Sequence, residues 1–354
     1  MEVAEAIESL KIEANNYMRT VYALKAMANE LLWDASAKRF YKHGLACFGP
    51  RLETSSLNRI SPNNKVTPDL VVTVPSRQNV LVEAKLAVSG DKDKRRPKLL
   101  QVQKYDDDLK GLADNQRGHP GHDIVFLVSC EHAKNIKDDI QELQKNGEIR
   151  FDRPFALVRF FLMEQYKTWF VLEVVSGSLT DTDETEKLRG PLMIDLVHLI
   201  SNPDFGHIKF YDAEPPLPLL MDEIHELVMS SLTREQRQEL RESNQVDVSL
   251  KVEQLREQMA ENCGPINTSM SRIPEIPQKG WIGRALEGFR KMGWASKQND
   301  GTYVYHVKQR RDPLEQFYSL CAKRKCRTAL QRQQKQEKDA KKYPLFGDQI
   351  RCAK

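Results

Sequence analysis

Long apolar runs are missing from this sequence, and nothing in it approaches the roughly 20 apolar residues that a membrane-spanning helix needs. The opening residues, MEVAEAIESLKIEANN, carry acids where a secretory leader would carry a basic cluster followed by an apolar stretch. A cytoplasmic protein is expected on both counts. Cysteine is scarce and unpatterned. Cys47, Cys130, Cys263, Cys321, Cys326 and Cys352 make no C-x-x-C pair and no Cys/His set at zinc-finger spacing. A structural zinc or an iron–sulfur cluster is therefore not expected, and reduced thiols are. No GxxxxGK[ST] occurs, so the chain has no ATPase of its own, and GxSxG is missing as well. There is no internal repeat.

What the chain does have is charge. Asp, Glu, Lys and Arg make up 29% of its 354 residues beside 40% hydrophobic ones, the composition of a folded, soluble protein long enough for two domains. The net charge of +4 hides an asymmetry. From Thr302 to Lys354 there are 14 Lys/Arg against 5 Asp/Glu, a net of +9, which leaves −5 for the rest. A basic C-terminal end suits a polyanion, or else is a solvated helix face.

Periodicity organises the rest. Ile7, Leu10, Ala14, Tyr17, Met18, Val21, Leu24 and Ala28 recur at helical steps and predict a helix from about Val3 to Phe40. Beta-branched runs at Val71 to Val74 and Val80 to Leu86, separated by Pro75-Ser76-Arg77-Gln78-Asn79, predict a hairpin. A basic loop, DKDKRRPK, should lead to a helix over Leu99 to Leu112, followed by a buried strand at Asp123 to Ser129. Two more strands are expected at Phe155 to Leu162 and Trp169 to Val175, and an exposed acidic loop at Thr180 to Glu186. Pro203, Pro215, Pro216 and Pro218 mark a boundary. Beyond it helices are expected at about Leu219 to Leu232, Arg234 to Glu242, Val248 to Glu261 and Trp281 to Met292, the last ended by Gly293. Asp300-Gly301 between apolar flanks then signals a short hairpin. Helices followed by a hairpin resemble a winged helix–turn–helix.

The chemistry gathers on the first hairpin. Asp69, after Pro68, opens one strand, and Glu83-Ala84-Lys85 lies in the other. Side chains alternate along a strand, so Glu83 and Lys85 share a face while Ala84 packs the other way. Pairing of the strands brings Asp69 alongside. Charges planted in so apolar a run need to be paired, exposed or bound to metal. Two carboxylates suit Mg²⁺ or Mn²⁺, which can polarise a phosphoryl oxygen and supply hydroxide near neutral pH. Lys85 would orient water or offset charge on a scissile phosphate. Gln101 and Tyr105, four apart on the predicted helix, share a face directed at the same place.

Pro68-Asp69, Glu83-x-Lys85 and Gln101-x-x-x-Tyr105, in this order, resemble the PD-(D/E)xK phosphodiesterase superfamily in its RecB-like form with a QxxxY helix. The resemblance covers roughly the first half of the chain. It implies a restriction-endonuclease-like α/β fold with a mixed sheet flanked by helices, followed here by the mainly helical, winged-helix-like region. It also implies that Asp69, Glu83 and the carbonyl of Ala84 ligate the metal, that Lys85 is the catalytic lysine, and that Gln101 and Tyr105 position substrate or site. Relatives often add an acid from the helix before the hairpin. Glu30 is the candidate here, with Glu53 second. The domains expected are 1–200 for the nuclease, 215–310 for the winged-helix-like region and 311–354 for a basic helix or arm.

Phosphate contacts are expected from the basic cluster ahead of the QxxxY helix, Lys94, Arg95, Arg96 and Lys98 among them. In the second region Arg284, Arg290 and Lys291 lie on the predicted recognition helix, with Lys297 and Lys308 flanking the wing. Trp281, Phe289 and Trp294 are expected in a small core. His119 and His122 could form a metal pair, but the intervening Gly and Pro favour a plain loop. These readings converge on a Mg²⁺-dependent nuclease acting on DNA in preference to RNA, in restriction, mobile-element defence or repair. A homodimer or a partner ATPase is compatible with them. The alternatives are a non-catalytic winged-helix DNA-binding or regulatory protein, and an RNA-directed nuclease with the same site.

Overall fold

Alternation along the strands places the core on both faces of one sheet. The structure, a computed structural model, describes residues 2–34, 37–41, 44–54, 65–74, 77–85, 92–112, 121–163, 169–202, 206–263, 276–308 and 312–342. The chain divides into two compact units. One takes residues 16–214 and 256–278, and the other takes 1–15, 215–255 and 279–354. The first 15 residues, read from sequence as part of the nuclease domain, therefore belong to the helical unit.

The larger unit is α/β. Its seven-stranded sheet is built from β1 (Leu45–Phe48), β2 (Leu70–Thr73), β3 (Asn79–Lys85), β4 (His122–Ser129), β5 (Phe155–Leu162), β6 (Trp169–Gly177) and β7 (Leu192–Asp195), in the order β7-β6-β5-β4-β3-β2-β1. The pairs β3–β4 and β4–β5 are parallel and the rest antiparallel, so the sheet is mixed. On one face Val72, Val82, Val125, Leu127, Val158 and Phe160 pack with Leu24, Met27 and Leu31 of α1 (Val3–Leu32). On the other face Val71, Leu81, Ile124, Phe126 and Leu157 pack with Leu99 and Val102 of α2 (Lys92–Gln103) and with Ile136 and Ile140 of α3 (Cys130–Lys145). Continuous apolar strands such as β4, buried at every position, follow from helices covering both faces.

Several boundaries differ from the expected ones. α1 stops at Leu32, and Trp33–Asp34 then pairs with Arg39–Phe40 instead of continuing the helix. α2 starts at Lys92, so the basic cluster lies on a helix and not in a loop, and it carries Pro97 internally. The lost backbone bond is tolerated because packing of Leu99 and Val102 and a buried ion pair from Arg95 to Asp139 hold the helix down. After Gln103 the chain makes a 3₁₀ turn at Lys104–Asp106 and a short strand at Leu109–Lys110, where one long helix was expected. The acidic stretch is helical as α4 (Thr182–Arg189), with Thr185 and Leu188 buried. α5 is Leu196–Ser201. Strand β1 and helix α3 were not anticipated.

The second unit is mainly helical. It contains α6 (Leu217–Ser231), α7 (Arg234–Ser243), β8 (Gln245–Leu250), the first residues of α8 (Val252–Cys263), α9 (Lys279–Lys291), β9 (Ala295–Lys297), β10 (Tyr303–Lys308) and α10 (Pro313–Lys342). The strands form an antiparallel sheet in the order β8-β10-β9. Val248 to Leu250, expected to open a helix, belong instead to β8. Short apolar runs are ambiguous in period, and here cross-strand partners decide, Val246 facing Val307 and Leu250 facing Tyr303. Phe289, Trp294, Tyr305 and Phe317 gather around His225, whose Nδ1 lies 2.7 Å from the Tyr305 hydroxyl. Trp281, Phe289 and Trp294 are thus core residues, as expected. Among the described residues no helix is long and apolar enough to cross a membrane.

Candidate active site

Register alone sets the central pair of acids. Leu70 faces Val82 across the β2–β3 hairpin, so Asp69, one residue earlier, stands beside Glu83, one residue later. Odd-numbered positions of this hairpin share the face on which Val71, Leu81 and Tyr105 pack, and Asp69, Glu83 and Lys85 have the same parity. Ala84 packs on the opposite face with α1, as expected. Asp69 is 5% exposed and Glu83 2%.

Both buried acids have named partners. The backbone N–H of Ala84 donates to Oδ2 of Asp69 at 2.7 Å. Lys85 Nζ lies 2.5 Å from Oε1 of Glu83. The Tyr105 hydroxyl donates to the other oxygen, Oε2, at 2.6 Å, and lies 3.1 Å from the carbonyl of Thr67. Tyr105 reaches the site from the 3₁₀ turn that follows α2, and Gln101 sits half-buried in the last turn of α2 itself. The motif is therefore split between two kinds of helix. The turn is held from below by His122, which is buried at the start of β4 with Nε2 2.5 Å from the carbonyl oxygen of Tyr105. Burial pushes the His122 imidazole down to about 4, so it is neutral. His122 is thus a core histidine on a strand, while His119 lies outside the described residues.

The electrostatics carry a strong mismatch. Burial, with Glu83 beside it, holds the Asp69 carboxyl well above the usual carboxylate range, against the opposing pull of Lys85 and the Ala84 N–H. Burial lowers Lys85, but Asp69 and Glu83 outweigh it and keep the ammonium above its ordinary value. Burial and the same two acids raise the Tyr105 phenol well above its usual range, so it remains a donor. Two desolvated carboxylates share this site with one ammonium.

The other expected residues fall into three groups. Lys98 is half-buried on α2, where burial and then the Lys85 charge lower its ammonium. Arg95 does not face the site. Its guanidinium is buried, with Nε 2.6 Å from Oδ2 and a second nitrogen 3.2 Å from Oδ1 of Asp139 on α3. Arg96 is exposed and pairs with Glu148. Lys94 lies on α2, with its side chain outside the described residues. Glu30 is engaged elsewhere: Lys187 Nζ lies 3.0 Å from its Oε2, and the Asn29 amide donates to its Oε1 at 2.9 Å. Glu53 is exposed on a separate small strand, Leu52–Thr54, opposite Lys65 and Lys110.

Asp212 is the acid that sequence reading missed. It is half-buried, and its carboxyl is raised by burial first and then by Glu83, with Arg51 and Lys85 pulling the other way. No periodic element contains it, which is why no pattern signalled it. Among the described residues no three carboxylate, imidazole or thiolate side chains are gathered as a ready cage for a metal. Mg²⁺, which keeps several waters and takes only one or two carboxylates, needs no such cage.

In the helical unit, Arg284, Arg290, Lys291 and Lys297 are exposed and Lys308 is half-buried. Arg290 and Lys291 both pair with Glu287, at 2.7 and 3.5 Å, which lowers the Glu287 carboxyl to about 2. Lys297 Nζ stands 5.3 Å over the Tyr303 ring. No family profile matches the chain, and no curated protein matches it.

Proposed function

We propose that this chain is a metal-dependent nuclease of the PD-(D/E)xK type that hydrolyses phosphodiester bonds of DNA. The observation that carries this reading is the convergence of Asp69, Glu83, Lys85 and Tyr105 at one buried point of a hairpin inside a mixed sheet. A surface pair would not be desolvated, and two buried acids beside one ammonium, with Asp69 held well above its usual range, mark a candidate functional site.

The donor set fits a hard divalent cation. Asp69, Glu83 and the Ala84 carbonyl would hold it, the cation displacing the proton that burial and Glu83 favour on Asp69. Bound there, Mg²⁺ or Mn²⁺ supplies Lewis acidity toward a phosphoryl oxygen and lowers the pKa of water. The chain's own groups do the rest. Tyr105 fixes Glu83 from one side, and Lys85 fixes it from the other while presenting an ammonium to the charge that grows on phosphate. Lys98 adds a second cation for the flanking backbone.

The helical unit supports the nucleic-acid half of the reading. Helices α6 and α7, strand β8, the first residues of α8, helix α9 and the β9–β10 hairpin follow in chain order, with sheet order β8-β10-β9. With α7 as an addition, this order resembles a winged helix in which α9 would be the recognition helix and 298–302 the wing turn. A defence or repair role suits such a protein.

Linear and circular plasmid DNA, incubated with Mg²⁺ or Mn²⁺ and wild type or Glu83→Ala protein, tests the proposal. Metal-dependent cutting that is lost in the variant supports it. Tight DNA binding indifferent to EDTA, with no cutting by wild type, would replace it with the non-catalytic reading.

A further inference from the structure

Helix α10 has a rooted half and an open half. Phe317, Tyr318, Cys321 and Ala322 are buried in the helical unit, Lys11 Nζ lies 2.5 Å from Oε1 of Glu315, and Lys325 Nζ lies 2.8 Å from Oε1 of Glu13. Beyond Thr328 every described side chain of the helix is exposed. Residues 323–338 hold seven Lys/Arg and one acid, Glu337. At about 100° per residue, Lys323, Arg324, Arg327, Lys335 and Lys338 fall within an arc of roughly 120°, with Arg332 about 60° further round. Glu337 lies outside the arc, where the Gln333 amide donates to its carboxylate at 3.2 Å. Lys325 also lies outside it, against Glu13. Five exposed cations thus share one side of α10 with no acid among them.

We propose that this basic side of α10 binds the phosphate backbone of duplex DNA, as a grip that does not read sequence. This use of α10 goes beyond the nuclease reading and rests on it only for the choice of DNA. Charge complementarity names the occupant. Lys323 and Arg327 stand four apart and Lys335 and Lys338 three apart, spacings at which like charges disfavour a helix. A polyanion laid along them removes that repulsion and releases its own counterions. The arc runs for about 22 Å along the helix axis, the rise of roughly six nucleotides of one DNA strand. The other side suits neither a membrane nor a partner helix. Among the described residues it exposes Ala329, Gln333, Gln336 and Glu337 beside one large apolar side chain, Leu330. An interfacial helix needs an apolar face, and a coiled coil needs a repeating apolar seam.

Fluorescence anisotropy of a labelled duplex with the full chain in EDTA, at several salt concentrations, tests the proposal without requiring cleavage. The variant combines Arg324→Gln, Arg327→Gln, Lys335→Gln and Lys338→Gln, which keep good helix formers at exposed positions. It should bind roughly ten-fold or more weakly, equally on two unrelated duplexes, with the slope of log affinity against log salt reduced by about three units. Gln333→Ala with Gln336→Ala, on the other side, should change neither. An unchanged slope in the four-residue variant, with Mg²⁺-dependent cutting by wild type, would overturn the proposal and leave the nuclease reading standing. No DNA binding by wild type would overturn it too, as would binding to phosphatidylserine vesicles in place of DNA. A reduced slope, with no cutting by wild type under any metal, would uphold the grip and sink the nuclease reading.

Discussion

The Tyr105 hydroxyl donates a 2.6 Å hydrogen bond to Glu83, tying a turn that follows α2 to the middle of the hairpin. Glu83 is almost fully buried, and its two oxygens are partnered by that donor and by Lys85. Tyr105→Phe leaves a buried carboxylate one partner short, at a cost of about 2 kcal/mol. Urea unfolding should register that loss, and metal-dependent cleavage should fall while DNA affinity holds. Unchanged stability would mean that water replaces the hydroxyl and that Tyr105 does not fix Glu83.

The raised carboxyl of Asp69 makes stability depend on pH in a definite direction. The folded state keeps this proton where the unfolded chain has released it. That contribution is complete below an ordinary aspartate value of about 4 and is lost as pH climbs through the raised native one. Asp212 acts with the same sign. Metal-free wild type should therefore lose melting temperature relative to Asp69→Asn as pH rises above about 5. Mg²⁺ or Mn²⁺ should reverse the loss, since a cation binds the ionised form. Parallel pH profiles for the two proteins in EDTA would contradict the assigned shift.

Neighbouring basic residues on α2 should behave in opposite ways. Arg95→Ala strands Asp139 in the core and should cost about 3 kcal/mol of stability, as breaking a buried pair does. Lys98→Ala should leave stability within about 0.5 kcal/mol and instead reduce the salt dependence of DNA binding by about one unit of slope. Chemical denaturation and binding at several salt concentrations read both. A stable, weakly binding Arg95→Ala would place Arg95 on the phosphates after all.

In the helical unit Glu287 holds back two cations of α9. Glu287→Gln should release Arg290 and Lys291 and tighten DNA binding, with a steeper salt slope. Lys297→Ala should weaken binding by a similar factor on every sequence tried. Fluorescence anisotropy with two unrelated duplexes measures both effects. If neither variant moves the affinity, α9 and the wing do not face the phosphates.

Much of this site is written in local periods. The two-residue repeat of strands puts Glu83 and Lys85 on one face and Ala84 on the other, and hairpin register adds Asp69. Tyr105 was found by its spacing from Gln101, although the helix carrying both breaks between them. Period fails where runs are short. Val248 to Leu250 fit either repeat until β10 supplied partners, and the acidic stretch hid a helix in which, among the described residues, Thr185 and Leu188 are buried.

By itself, then, the sequence determined which residues share a strand face and which basic end the chain carries, because those follow from spacing along an element. Only the tertiary structure decided which charges meet. Arg95 turned inward to Asp139, while Glu30 went to Lys187. Tyr17 of α1 holds the backbone on either side of Asp212, accepting from the Tyr211 N–H and donating to the Ala213 carbonyl, and Gly49 leaves room for its approach. Such pairings depend on how separate elements pack, and the free energy of packing is not encoded in the period of any one of them.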